Sequence, residues 1–255
     1  MFEGKLATLG GLVAAAVLGV SLPAWSQPLH LNPYGESRGS NPPVAHYVAA
    51  LGGRSFVLDR ATAAPEALLK FDNDPEVWVL EPSLAPGRGK IYRNDAGDRI
   101  LSESSLGGLT LFTVREPDGL AVSVQGDADE LMLPQSIPDK LMTQLVPQAS
   151  YRTSRAAQEA AGRERAVNID APFYTPATSP VFFDAITITT NALVTLARRK
   201  EAKGFMSKLD KVLFVVGAKP DVSFNGSVLT ITLTPGRGYA GRPSSNRIMK
   251  TCLKK

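Results

Sequence analysis

The hydrophobic rhythm of the chain changes several times along its length. Residues 6–22 form an apolar run of Leu, Val, Ala and Gly, with Thr8 and Ser21 as its polar breaks. From residue 27 to 43 large apolar side chains nearly vanish among Pro, Gly, Ser and Asn, the composition of a flexible lead-in. A short apolar stretch, 44–51, closes at Gly52-Gly53 and is expected to form one or two helical turns. From Arg54 onward short apolar runs alternate with turn residues. Seven of them read as strands: 55–58, 67–71, 76–80, 90–92, 99–101, 109–114 and 120–124. Asn94-Asp-Ala-Gly97 and Glu116-Pro-Asp-Gly119 are the strongest turns between them, because Asn and Asp tolerate left-handed backbone and Gly carries no Cβ. This spacing predicts an antiparallel sheet, a sandwich or a small barrel.

Past residue 134 the period lengthens. Residues 136–145 could form a short helix. Residues 153–167 predict a surface helix in which Arg155, Glu159 and Arg163 align their charges on one face, although Gly162 would cost about 1 kcal/mol in a helix interior. The strongest helix is 179–203. Ser179 suits its cap and Pro180 its first turn, and Phe182, Ala185, Ile186, Leu193, Leu196 and Ala197 share one face. Arg198-Arg-Lys200 complements the helix dipole, and Gly204 offers a stop. Alternation over 186–189 suggests a strand there, but length and caps favour helix. Residues 213–216 read as a strand, and 221–224 with 227–233 as a hairpin about Asn225-Gly226. The order of strands, helices and strands makes the fold class α+β. Its expected parts are a signal peptide (1–26), the lead-in (27–53), an antiparallel β-rich sheet or sandwich (54–134), central helices (135–211), and a C-terminal β-hairpin with a basic tail (212–255).

The leader has the three parts of a secretory signal: a short basic start, the apolar run, and small residues in Ala24-Trp25-Ser26. Its run is short and rich in Ala and Gly, which favours cleavage over anchoring in an apolar layer about 30 Å thick. The protein is therefore expected to be exported, periplasmic or extracellular, with no transmembrane segment after cleavage. One cysteine, Cys252, rules out an internal disulfide, so the fold must rest on a packed core. In a basic tail without a nearby His, Cys252 reads as incidental.

The formal net charge is +4, unevenly distributed. Residues 27–150 hold ten basic and sixteen acidic side chains, whereas 151–255 hold seventeen basic and seven acidic. Such asymmetry suits an anionic partner, and equally suits two halves that face each other. Nucleic acid is not expected, since no aromatic residues interleave the basic ones as base-stacking surfaces require.

The segments Phe56-Val-Leu-Asp59, Leu68-Leu-Lys-Phe71, Pro75-Glu-Val-Trp-Val-Leu80, Ile91-Tyr-Arg-Asn-Asp95 and Gly107-Gly-Leu-Thr-Leu111 resemble an uncharacterised family of secreted proteobacterial proteins. The resemblance covers most of the chain past the leader and extends to Gly241-Arg-Pro-Ser-Ser245. It implies export and a shared fold, and brings no activity or functional residue with it.

Gly236-Arg-Gly-Tyr-Ala-Gly241 has the spacing of a dinucleotide loop, but Arg242-Pro243 follows where a helix should open and no acid lies downstream. What remains is a Gly-rich turn flanked by Arg237, Arg242, Arg247 and Lys250, the candidate anion-binding residues. The plain alternative is a C-terminal loop. His30 and His46 are too sparse for a common zinc site, and Asp72-Asn-Asp74 and Asp127-Ala-Asp129 lack the glycine and distal acid of a calcium loop. No G-x-S-x-G or S-x-x-K occurs, so no catalytic residue, metal or cofactor is assigned. Trp78 and Phe182-Phe183 read as core. The expected function is a non-catalytic binding or scaffolding module of the envelope that meets an anionic envelope component or another envelope protein. The alternatives are a hydrolase, with His46 as a base, and an assembly subunit that pairs by strand edges.

Overall fold

The computed structural model describes residues 41–254 apart from positions 52 and 163. The expected signal segment, the lead-in up to residue 40, His30 and Arg163 lie outside the described residues. Eight strands follow as a meander: β1 (Val44–Ala49), β2 (Ser55–Asp59), β3 (Ala67–Phe71), β4 (Val77–Leu84), β5 (Lys90–Arg93), β6 (Arg99–Glu103), β7 (Leu109–Leu111) and β8 (Leu120–Gly126). Each pairs antiparallel with the next, and β1 also pairs with β8, so the sheet closes into a barrel.

This corrects one expectation and decides another. Residues 44–49 are a strand, not helical turns, and of the antiparallel sheet, sandwich and small barrel that the spacing allowed it is the barrel that forms, with β1 as an eighth strand. The stretch Val44-Ala-His-Tyr-Val-Ala49 alternates in burial, with Ala45, Tyr47 and Ala49 facing inward. Its alanines hide that period, and its strand character comes from having a partner on each side. An eight-stranded barrel is just wide enough for side chains to fill. Here Tyr47 stacks on Phe56 with ring centroids 5.7 Å apart, and Phe56 meets Phe71 edge-on at 5.8 Å. The turns β1–β2, β3–β4, β5–β6 and β7–β8 share one end of the barrel, the near end.

The rest of the chain forms a second core. Helix α1 (Asp139–Ala161) joins the two separate helices expected at 136–145 and 153–167. Pro147 lies inside it. Burial of Met142, Ala149, Ala156 and Ala157 outweighs that break, and α1 packs along α2 (Ser179–Ala197). Gly162 costs the helix nothing, because it is the left-handed cap (φ 67°) whose N–H bonds the Gln158 carbonyl. Helix α2 confirms the helical reading of 186–189. It is long and apolar enough to cross a membrane, but Phe182, Ile186, Leu193 and Leu196 are fully buried in this core. It stops at Ala197, earlier than expected, and Arg199 is extended. The chain folds back through a 3-10 turn into α3 (Lys203–Lys208), which contains Gly204 and buries Ala202, Phe205 and Met206.

The sheet of this core has the order β11-β12-β10-β9, formed by β9 (Asn168–Asp170), β10 (Lys211–Val216), β11 (Asp221–Asn225) and β12 (Val228–Leu233). The β11–β12 hairpin stands as expected, but Asn225 pairs with Val228, so its two-residue turn is Gly226-Ser227. Strand β10 runs parallel to both β12 and β9, a non-local pairing that leaves no local signature. Strand β9 was not foreseen. Ser154 and Ser150 on α1 accept hydrogen bonds from the Val167 and Ile169 N–H groups and cover its edge.

The C-terminal stretch is no loose tail. A 3-10 segment, Pro235–Gly241, leads into α4 (Ser245–Leu253), capped by the Ser244 hydroxyl, which accepts from Arg247 N–H. Ile248 and Cys252 enter the second core. Cys252 is therefore not the exposed thiol of a basic tail, and burial pushes its thiol up to about 12. A thiol-specific disulfide reagent at about pH 8 should leave Cys252 unmodified until denaturant is added, because the buried group is neither ionised nor reachable. Stoichiometric labelling of the native protein would contradict this placement.

Candidate functional site

The acidic barrel and the basic C-terminal half do face each other. Arg237 pairs with Glu66 and Lys250 with Asp98 at 2.7 Å across the two, while Arg247 pairs at 2.6 Å with Asp221 of β11 inside the second core. Arg242 is almost wholly buried between the two cores. It donates to Asp184 and to the Val77 carbonyl at 2.9 Å, and lies 3.6 Å from Glu76. Burial pushes the Glu76 carboxyl above its usual range, and Arg242 and the Ser245 hydrogen bonds pull against that rise. Beside this group Asp95 accepts from the Ser244 N–H and hydroxyl.

The four candidate anion-binding residues thus divide. Arg237, Arg242 and Arg247 border a cleft of only about 80 Å³, together with Glu66, Glu81 and Asp95. Their charge is matched by acids of this chain. Lys250 faces a different and larger space.

That space is a cavity of about 540 Å³ at the near end of the barrel, roofed by α4. Phe71, Trp78, Ile100 and Phe112 line it from the barrel, with Val114 and Pro117 from the β7–β8 turn. Met249, Leu253, Asn246 and Lys250 face it from α4, and Arg199 from the extended residue after α2. The volume falls within the 300–1,000 Å³ typical of small-molecule sites. Trp78 sits opposite Leu69 in the barrel ladder and packs on the barrel core, so it separates that core from the cavity. The β7–β8 turn reaches Phe112 through Gly119 (φ 91°), where a Cβ would stand 2.5 Å from Thr110 and 2.7 Å from the Phe112 ring.

Three arginines complete the lining, and sequence reasoning missed all of them. Arg54 lies over the Phe71 ring with its guanidinium carbon 4.2 Å from the centroid, and Arg99 over Phe112 at 3.3 Å. Arg199 stands across from them on the helical side. None of the three meets a carboxylate among the described residues. Stacking fixes the guanidinium planes of Arg54 and Arg99 while their N–H edges stay free for an oxyanion. The one acid in the lining, Asp98, is held below the usual carboxylate range: burial pushes it up, and hydrogen bonds from Lys250, Asn94 and Asn246 outweigh burial. The cavity combines apolar walls with surplus positive charge. Arg54 and Arg99 are isolated basic residues in the sequence, and Arg199 lies within the run Arg198-Arg-Lys200. The available signal was an Arg at the end of an element, near an aromatic that only the fold brings to it.

His46 does not reach this cavity. Its Nε2 meets both oxygens of Asp72, at 2.9 and 3.0 Å, and no hydroxyl or thiol bonds to its ring among the described residues. No group of three or more His, Cys, Asp or Glu suited to a metal occurs among the described residues. Phe182 is core, as expected, whereas Trp78 is core on one side and cavity wall on the other.

A family model described as Domain of unknown function (DUF4908) matches residues 29–252. The chain belongs to the DUF4908 family. No curated protein and no solved structure matches it. The DUF4908 span includes both cores and every residue of the cavity lining but Leu253.

Proposed function

We propose that this DUF4908 protein is an exported, non-catalytic binding module whose cavity takes a small anion with an apolar body, a component of the envelope in which it works. The observation that carries the reading is the trio Arg54, Arg99 and Arg199, unpaired with acids among the described residues, around walls of Phe71, Trp78, Phe112 and Met249. Burying an apolar body there supplies affinity, and charge-assisted hydrogen bonds fix the anionic head. Export rests on the leader at 1–26, and intact mass of the natural protein should show a chain beginning at Gln27.

Laurate is a suitable probe and dodecanol its uncharged control. In the chain that begins at Gln27, Trp78 is the sole tryptophan and the reporter. Laurate should change Trp78 emission saturably and dodecanol much less. Arg54→Gln with Arg99→Gln should weaken laurate about tenfold, a modest figure because exposed charges are well screened. Unchanged laurate binding in that double variant would defeat the proposal.

A further inference from the structure

The two stacked arginines stand on opposite walls of the barrel. Arg54 directly precedes β2 and lies over Phe71 at the end of β3, whereas Arg99 opens β6 and lies over Phe112 just past β7. In the closed order of eight strands β2 and β6 are four places apart, and so are β3 and β7, which puts each Arg–Phe pair across the ring from the other. Both pairs sit at the near end, where β2 and β6 begin, and all four residues line the same cavity. Asp98 is next to Arg99 in sequence but does not neutralise it, because its carboxylate takes Lys250 at 2.7 Å and Asn246 at 3.2 Å. Apolar walls complete the space, with Trp78 and Ile100 from the barrel and Met249 and Leu253 from α4.

The cavity thus has a positive group on either side of an apolar middle. A ligand with one anionic head satisfies one guanidinium only. When its body reaches across, its tail rests against the other arginine, which loses water and gains no acceptor, an unfavourable exchange. A second anionic group at the other end of the body removes that cost and adds a second set of charge-assisted hydrogen bonds. We propose that the ligand is two-headed, an apolar body with an anionic group at each end in the manner of an α,ω-dicarboxylate, one head on Arg54 and the other on Arg99. This rests on the anion-binding reading of the cavity and narrows it.

The probes are suberate, sebacate and dodecanedioate, each compared with the monoacid of equal length (octanoate, decanoate or laurate) through Trp78 emission of the full chain. At the length that spans the two arginines the diacid should bind about tenfold more tightly than its monoacid, the gain of one further charge-assisted contact. Arg54→Gln and Arg99→Gln should each, alone, cancel that gain. Each should cost the monoacid only about twofold, because its single head turns to the arginine that remains. Dodecyl phosphate separates amount of charge from its placement, since it carries almost two charges on one head. Diacids that bind no better than monoacids at every length would overturn the proposal. So would a diacid advantage that survives in both single variants, or dodecyl phosphate matching the best diacid. Unchanged laurate binding in the Arg54→Gln, Arg99→Gln double variant would instead defeat the anion-binding reading itself, so the two failures are distinguishable.

Discussion

Arg242→Ala destabilises the protein by about 3–5 kcal/mol in urea unfolding, because it strips the cation that, among the described residues, pairs with the two carboxylates of this site. Glu76 and Asp184 then remain inside with nothing to offset their desolvation, and the Val77 carbonyl loses its donor. The loss depends on pH in a defined sense. The Glu76 carboxyl is already raised by burial, and Arg242 is the strongest influence holding it down. Without Arg242 it rises further, so the folded state takes up a proton more readily than the unfolded chain. A group of that kind adds stability as pH falls and withdraws it as pH rises through its folded value. The deficit should accordingly be larger at about pH 8 than at about pH 5. Glu76→Gln added to Arg242→Ala should recover part of the loss at the higher pH. An Arg242→Ala protein as stable as the parent would show that the contact between the cores carries no such weight.

Phe56→Ala should cost a similar amount, about 3–5 kcal/mol, through a cavity rather than a charge. Phe56 is fully buried and bridges Tyr47 and Phe71, so its removal empties the centre of the barrel. Phe71 also forms the cavity wall under Arg54, and laurate affinity should fall along with stability. Barrel and second core should still melt in one transition, because Arg242, Asp95–Ser244 and Lys250–Asp98 all cross between them. Separate transitions for Trp78 emission and helical circular dichroism would refute that coupling.

How much of this was legible in the sequence depended on the range of the forces involved. Seven strands could be read because their turns are local chemistry: Asn94-Asp-Ala-Gly97 closes β5–β6 through Asn94 Oδ1, which accepts from Ala96 and Asp98 N–H. The choice of a closed barrel over an open sheet or sandwich could not, because it needs β1 to find β8 across the whole meander, and the alternation of β1 is muted by alanine. Helix α2 announced itself through period and caps. The continuity of α1 through Pro147 is decided by what it packs against, which no local window contains. The basic C-terminal residues pair with Glu66, Glu76, Asp184, Asp221 and Asp98 of this same chain, partners that only the fold brings to them. The arginines left over were inconspicuous: Arg54 and Arg99 stand singly, and Arg199 lies in a run that a helix end explains.

One wall of the cavity is α4, almost the last piece of the described chain to leave a ribosome or a translocation pore. The barrel can complete its neighbour-to-neighbour pairing long before residues 246–253 arrive, but until they dock its near end is an unroofed apolar surface. A closed cavity is thereby a property of the finished molecule alone. A ligand present during folding would then favour the finished state over every partly made one, by mass action.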